Sequence, residues 1–162
     1  MKKAVFFLLL MFISINITAQ ESQTDYNFLR LPVSAHAAAL GGDNISIIED
    51  DPTLMFNNPA LISSVSDKTM NLNYMTYMEG VKLASASFTK VINDKATWAA
   101  SAQYIDYGNI KEVTADNVEV GTFSARDISI AGYFAYTLSN KLVGGITAKC
   151  ITSHIAGYNS LA

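Results

Sequence analysis

Two histidines and one cysteine are the side chains of this 162-residue sequence best suited to nucleophilic or acid–base chemistry. His36 lies in a run of small residues and His154 near the end of a predicted strand, and neither has a nucleophile elbow or a metal-binding motif around it. Cys150 lies within a predicted strand, where a cysteine is more often a small buried residue than a nucleophile. We therefore predict that the chain is not an enzyme and has no catalytic residues.

Four acidic residues lie close together in the chain and offer carboxylates to a cation such as calcium: Asp43, Glu49, Asp50 and Asp51. Their spacing does not match an EF-hand loop. Asp50 and Asp51 directly precede Pro52, which is typical of a helix N-cap followed by proline at the first helical position. The sequence predicts a short helix over Pro52–Phe56, which Asn57-Asn58-Pro59 either ends or turns into a second helix. We expect no metal and no cofactor.

Beyond residue 68, apolar side chains recur at every second position, which is typical of strands with two unlike faces. The pattern is clearest in 127–138, where even-numbered residues are apolar and odd-numbered residues are mostly polar or small. It recurs in 70–75, in 97–106 and from residue 142. In 81–91 it is ambiguous, because Val81 and Leu83 favour one face and the alternate residues from Ala84 to Phe88 favour the other. We predict about five strands from Thr69 to His154 and the start of another strand near Tyr158.

The predicted strands are about 9 to 12 residues long, which exceeds the usual length in soluble sheets and matches tilted transmembrane strands. The connections are short at 77–80, 92–95 and 139–141 and long at 107–126, as in outer-membrane barrels. Five aromatic residues are placed where a membrane-interface girdle is expected: Trp98, Tyr104, Tyr107, Tyr133 and Tyr136. The sequence therefore predicts an all-β, antiparallel transmembrane β-barrel. A soluble β-sandwich with one exposed face is the alternative.

Within this barrel the apolar face of each strand is expected to contact lipid and the opposite face to line the lumen. On the strand 127–138, Ile130 and Phe134 are placed in lipid. Ser129 and Ala131 are placed in the lumen, where we expect substitution to be milder.

The chain divides into three segments. Residues 1–19 have two lysines, an apolar stretch and a small residue before Gln20, which predicts a secretory signal peptide. Residues 20–66 contain a run of small residues at 35–42 that permits close backbone approach, as in a plug inside a barrel. Residues 67–162 form the first strands of the barrel. Because a closed barrel needs at least eight strands, we expect the sequence to continue; a barrel assembled from several chains is the competing interpretation.

The composition restricts the partners. Only 15% of the residues are charged, against about 25% in typical soluble domains, so part of the surface is expected to face something other than water. The formal net charge is −3, and the chain lacks a run of Lys and Arg. A nucleic-acid partner would require a basic face, so none is expected.

Short segments spread over most of the chain beyond the signal peptide match motifs of one protein family: Phe28–Ala35, Ala38–Gly42, Asn44–Ser46, Asp50–Asp51, Phe56–Leu61, Gly121–Asp127 and Gly144–Lys149. They resemble the PorQ-like members of the PorV/PorQ group, outer-membrane proteins of the type IX secretion system of Bacteroidetes and relatives of the FadL transport barrels. The N-terminal run is the most specific part. Within it, Asn57, Asn58, Pro59 and Ala60 form the plug motif, of which the Asn-Pro-Ala part is shared with many FadL-like barrels.

The resemblance implies a barrel of about 14 strands in the outer membrane, in a protein about twice as long as this sequence. It implies an anchor and not a catalyst, whose partners are membrane lipid, a PorZ-like surface protein and the PorU/PorV attachment complex. The long loop 107–126 is the candidate partner site, through Lys111, Glu112, Asp116, Glu119, Phe123 and Arg126. The alternative function is FadL-like transport of a hydrophobic solute.

Overall fold

A continuous antiparallel meander makes up the C-terminal part of the chain in the computed structural model, which describes residues 26–116 and 118–162. Its strands pair in sequence order and are β1 (Thr69–Thr76), β2 (Lys82–Asn93), β3 (Ala96–Val113), β4 (Glu119–Ser139), β5 (Leu142–Ile155) and β6 (Tyr158–Leu161). The all-β prediction is confirmed, as are the five strands between Thr69 and His154 and the further strand at Tyr158. The predicted signal peptide lies outside the described residues.

No helix in the described ranges is long and apolar enough to cross a membrane. The helices there are short. They comprise 3₁₀ helices at Asn27–Arg30, Pro52–Phe56, Pro59–Ser64 and Met78–Gly80, and the helix α1 at Ala35–Ala39.

The predicted long loop at 107–126 is wrong, because most of it is strand. β3 continues to Val113 and β4 begins at Glu119, so the connection shrinks to 114–118. A bulge at Asp106/Asn109 interrupts the pairing, and Gly108 adopts a φ of 71° there. Pairing resumes from Asn109 onward, and cross-strand hydrogen bonds override the polar, loop-like composition that the sequence presents.

The two faces of the sheet differ sharply in burial. On β4 the side chains of Asp127 to Ala135 alternate between buried odd-numbered and exposed even-numbered positions. Ser129 is 2% exposed and its neighbour Ile130 is 61% exposed. In β2 the sequence pattern left open which residues share a face. The structure shows that Leu83 is buried with the serines that follow it, whereas Phe88 is exposed. We call the buried side the inner face and the exposed side the outer face.

Residues 26–66 pack on the inner face and are called the plug. Each of its three main helices begins at a capping side chain: Ser34 accepts from the Ala37 N–H at 3.0 Å, Asp51 from the Thr53 N–H at 2.8 Å and Asn58 from the Ala60 N–H at 3.1 Å. The predicted helix Pro52–Phe56 is confirmed with these bounds, and Pro59 starts a second helix.

The core lies between the plug and the inner face, in two clusters. One contains Met55 and Ile62 of the plug against Tyr133 and small residues of β3 and β4. The other joins Phe28 of the plug to Leu83, Ile105 and Ile151, and it lies toward the end of the sheet that carries the β3–β4 hairpin. Burial of these apolar groups holds the plug on the sheet.

Candidate functional site

The outer face carries a band of large apolar side chains that the plug does not cover. We call it the apolar belt. On β4 it runs from Ile128 to Leu138, and it continues onto β1 with Leu72, which is 67% exposed, and onto β5 with Ile146, which is 70% exposed. Ten residue steps along β4 measure about 34 Å, and the tilt of about 40° that strands have in a barrel would reduce this to a height of about 26 Å. That height is close to the roughly 25 Å apolar band of outer-membrane barrels.

The belt inverts the usual distribution of side chains. In a protein surrounded by water, large apolar residues are inside and polar residues outside. Here the inner face buries Ser85, Thr97, Gln103 and Asp127 while the outer face exposes isoleucine, leucine and aromatic side chains. Isolated exposed apolar residues need no explanation, but a contiguous belt across five strands is typical of a surface that another protein or a membrane covers.

A row of polar and charged residues marks one edge of the belt. The strand register places Lys82 opposite Asp106, Asp106 opposite Arg126 and Arg126 opposite His154. All four lie on the outer face, one row beyond Tyr104 and Ile128. The row therefore separates the belt from the projecting end of the β3–β4 hairpin.

The aromatic residues divide between the two faces, so Tyr107 and Tyr133 do not fit the predicted girdle. Trp98, Tyr104 and Tyr136 are on the outer face, and the Trp98 ring contacts Phe88 edge-on at a centroid distance of 6.1 Å. Tyr133, by contrast, is buried on the inner face, where its hydroxyl lies 3.1 Å from the Ser101 hydroxyl and its ring contacts Phe56 of the plug.

Tyr107 also points to the inner face. Its hydroxyl donates to Asp127 at 2.8 Å, and Ser153 donates to the other carboxylate oxygen of Asp127. A buried carboxylate requires such donors. This explains why Tyr107 turns away from the outer surface.

The plug motif ties loops of the plug together. The side-chain amide of Asn57 donates to the Gly42 carbonyl and that of Asn58 to the Ile45 carbonyl, both at 2.7 Å. Asn58 also caps the helix that Pro59 begins. Two adjacent asparagines thus join the segment that follows α1 to the junction between the helices Pro52–Phe56 and Pro59–Ser64.

The same motif contacts β5 through its backbone. A Cβ atom placed on Gly145 would lie 2.4 Å from the Ala60 nitrogen and 2.7 Å from the Pro59 carbonyl carbon. Only glycine permits this approach. Pro59 and Ala60 therefore fix the plug against the inner face at Gly145, a contact that no sequence pattern identifies.

His36 and two acidic residues form a cluster that the sequence did not reveal, because 15 residues separate His36 from Asp51. The His36 Nδ1 lies 2.6 Å from the Asp51 carboxylate, and Nε2 lies 3.4 Å from that of Glu49. The hydrogen bond to Asp51, with both negative charges, raises the pKa of His36. Burial alone would raise the pKa of Asp51, but hydrogen bonds from His36 and Thr53 outweigh it and lower that pKa.

Asp50 serves local structure. Asp50 accepts hydrogen bonds from the Ser66 N–H and hydroxyl, which lower its pKa and join the two ends of the segment 50–66. Within residues 26–116 and 118–162, the structure contains no group of three or more histidine, cysteine or acidic side chains that could hold a metal ion.

Cys150 is exposed, which contradicts the burial expected for it. Its register opposite Ile130 places it on the outer face, in the middle of the apolar belt. His154 lies on the same face at the charged row, where its Nδ1 is 2.6 Å from the side-chain oxygen of Asn159.

The candidate partner residues lie along a hairpin and not in a loop. Lys111 and Glu112 belong to β3, Asp116 lies in the tip, and Glu119 starts β4, where its carboxylate lies 2.5 Å from the Lys111 ammonium. The structure brings these four together near the end of the hairpin. Phe123 and Arg126 lie further down β4, and Arg126 belongs to the charged row.

The chain matches no family model, no curated protein and no solved structure.

Proposed function

We propose that this chain forms the N-terminal part of a plugged outer-membrane β-barrel that anchors a cell-surface partner in the type IX secretion system. The observation that carries the membrane part is the inverted sheet, with an exposed apolar belt and a polar inner face beneath a plug. Lipid is the environment in which that distribution is stable. In the proposed barrel the free edges of β1 and β6 pair with further strands, because lipid cannot satisfy their peptide groups.

The anchoring part rests on the resemblance to the PorV/PorQ group together with the shape of the β3–β4 hairpin. From the charged row to the end of β3, Asp106 to Val113, the hairpin extends about 23 Å along the strand. The end that carries the longer extension is the extracellular end in such barrels. The hairpin tip is the proposed contact for a PorZ-like surface protein that works with the PorU/PorV complex, and the chain itself is non-catalytic.

Membrane location is tested first by cell fractionation. The full protein should sediment with the outer membrane and show heat-modifiable migration in electrophoresis. Recovery as a soluble periplasmic monomer would overturn the proposal.

Cys150 provides a finer test of the lipid-facing side. In intact outer membranes a charged maleimide should fail to label Cys150, and an apolar maleimide should label it. As a matched control, Thr147→Cys in a Cys150→Ser background places the thiol on the inner face of the same strand, and the charged reagent should reach it through the lumen. Equal labelling of both positions by the charged reagent would show that no lipid covers the outer face.

Anchoring is tested by deleting Glu112–Glu119. The barrel should remain folded in the membrane, because the deletion removes only the tip and its adjoining pairs, and the partner should appear in the medium. The control reverses the ion pair with Lys111→Glu and Glu119→Lys, which preserves the hairpin and should retain more of the partner. Retention of the partner by the deletion variant, with loss of solute uptake alone, would favour a transporter.

Transport of a hydrophobic solute has one observation in its favour. A cavity of about 460 Å³ lies between the plug and the β1–β2 turn, with an apolar lining that includes Phe28, Leu31, Met78, Val81 and Ile105. A transporter would bind an apolar solute there without any surface partner. The Glu112–Glu119 deletion therefore distinguishes the two functions.

A further inference from the structure

A polar cavity lies at the charged row of the outer face. It has a volume of about 360 Å³ and is lined by Lys82, Asp106 and Arg126, together with Tyr104 and Asn109. Gly108 also lines it, at the bulge between Asp106 and Asn109 in β3. The cavity is therefore a built feature of three neighbouring strands.

The charges of the cavity suit an anion. Among the described residues, neither Lys82 nor Arg126 forms an ion pair, although Asp106 lies between them in the register. Asp106 instead accepts the Gly108 N–H at 2.9 Å. β2 and β4 are two strand spacings apart, about 10 Å, so the two long cationic side chains can approach one anion from opposite sides.

An apolar groove continues from this cavity into the belt. It has a volume of about 420 Å³ and shares Tyr104 as a wall with the polar cavity. The small residues Ala84, Ala86 and Ala102 form its floor, and larger side chains, including Leu72 and Ile128, border it. The register places Ala86 opposite Ala102 on adjacent strands, so the depression crosses from one strand to the next.

A cationic cavity directly above an apolar groove matches the two ends of an amphiphile. We propose that this site binds a phosphorylated membrane lipid, with the phosphate between Lys82 and Arg126 and one acyl chain in the groove. A free phosphate has no apolar part that could occupy the groove. The inference rests on the proposed function, since it requires the outer face to lie in a membrane.

The experiment uses the full protein, purified from outer membranes in mild detergent and washed free of lipid. Dioleoyl phosphatidic acid is the probe, and its retention is measured by native mass spectrometry. Lys82→Gln with Arg126→Gln should lower affinity about 30-fold, since each cation near a membrane surface contributes about fivefold. Lys90→Gln removes an exposed lysine near the opposite end of the outer face and should leave affinity unchanged.

Two further variants keep the test decisive if the double substitution disturbs folding. Asp106→Asn removes the negative charge and should tighten binding, which a damaged protein would not do. Ala102→Phe fills the groove and should weaken the lipid more than it weakens inorganic phosphate. Equal retention of the lipid by the double variant and by Lys90→Gln would overturn the proposal. So would a competition experiment in which inorganic phosphate displaces the lipid from wild type as easily as from Ala102→Phe.

These outcomes are separate from failure of the proposed function. A protein that fractionates with the outer membrane and migrates heat-modifiably, yet shows no difference among the variants, would refute only the lipid site. A soluble protein would refute both.

Discussion

The outer and inner faces of the sheet use the same strands for opposite purposes. Ile146 and Thr147 are adjacent in β5, share the same backbone pairing with β4 and are both exposed, yet Ile146 joins the apolar belt and Thr147 lies on the inner face. Much of the inner face is buried by the plug, which the chain supplies. The outer face has no such cover within the described residues, so its apolar side chains need an external one. This difference is the main support for the proposed membrane location.

The inner face is itself divided. Ser129 and Ala131, which were expected to tolerate substitution as lumen residues, are 2% and 4% exposed because the plug and neighbouring strands cover them. A large side chain at either position would displace packed atoms. Their assignment to the inner face is correct, but the expected mildness does not fit their burial. Tolerance should instead be found at inner-face positions of β5 that remain exposed, such as Thr147.

The largest expected effect comes from placing a charge in the belt. Ile146→Arg should destabilise the protein in lipid by about 2 to 4 kcal/mol, because it lies near the middle of the apolar band. Thr147→Arg, one residue away on the open inner face, should cost much less. Urea unfolding in lipid vesicles measures both. Similar costs for the two variants would remove the distinction between the faces.

A second substitution tests how the inner face holds the plug. Gly145→Ala forces a methyl group into the Pro59–Ala60 backbone and should destabilise by about 1 to 3 kcal/mol. Gly132→Ala is the control, since a Cβ there meets nothing within 4 Å. Protease cleavage within the plug should accelerate in the first variant only. A stable, protected Gly145→Ala protein would show that the plug does not depend on this contact.

Asn58 separates two roles of the plug motif. Asn58→Ala loses both the helix cap and the hydrogen bond to the Ile45 carbonyl and should cost about 1 kcal/mol. Asn58→Asp keeps the capping oxygen and loses only the amide donor, so it should lie between wild type and Asn58→Ala in urea unfolding. If the Asp variant were as unstable as the Ala variant, the contact to Ile45 would be the dominant role.

The smallest effect concerns pH. Since the folded pKa of His36 is raised, its contribution is complete below the ordinary value of 6.5 and is lost as pH rises through the folded pKa. Since the folded pKa of Asp51 is lowered, its contribution to stability is present above the ordinary pKa of 3.8 and is lost as the pH falls through the folded pKa. The gap in urea midpoint between wild type and His36→Gln should therefore shrink from pH 6 to pH 9. His154→Gln is the control, and a gap independent of pH would contradict the ion-pair account.

Prediction from sequence failed where polar composition and strand geometry disagreed. Residues 107–126 contain glycine and several charges, which indicated a loop, yet cross-strand pairs extend the hairpin to Val113 and Glu119. Cys150 was expected to be buried because free cysteines usually are, but its place in the register puts it on the outer face. Both errors have the same cause: the environment of each residue was predicted from its residue type, whereas the pairing of its strand determines that environment.

The sequence by itself determined what depends on near neighbours along the chain. Alternation with period two determined the strands and separated Ile130 from Ser129, and prolines preceded by capping side chains determined where the helices at Pro52 and Pro59 begin. Only the tertiary structure decided which face the plug covers, that Gly145 must admit Ala60, and that His36 meets Asp51. The reason is physical: strand and helix signals are local, whereas these contacts join residues 15 to 85 positions apart and exist only once the plug has packed on the sheet.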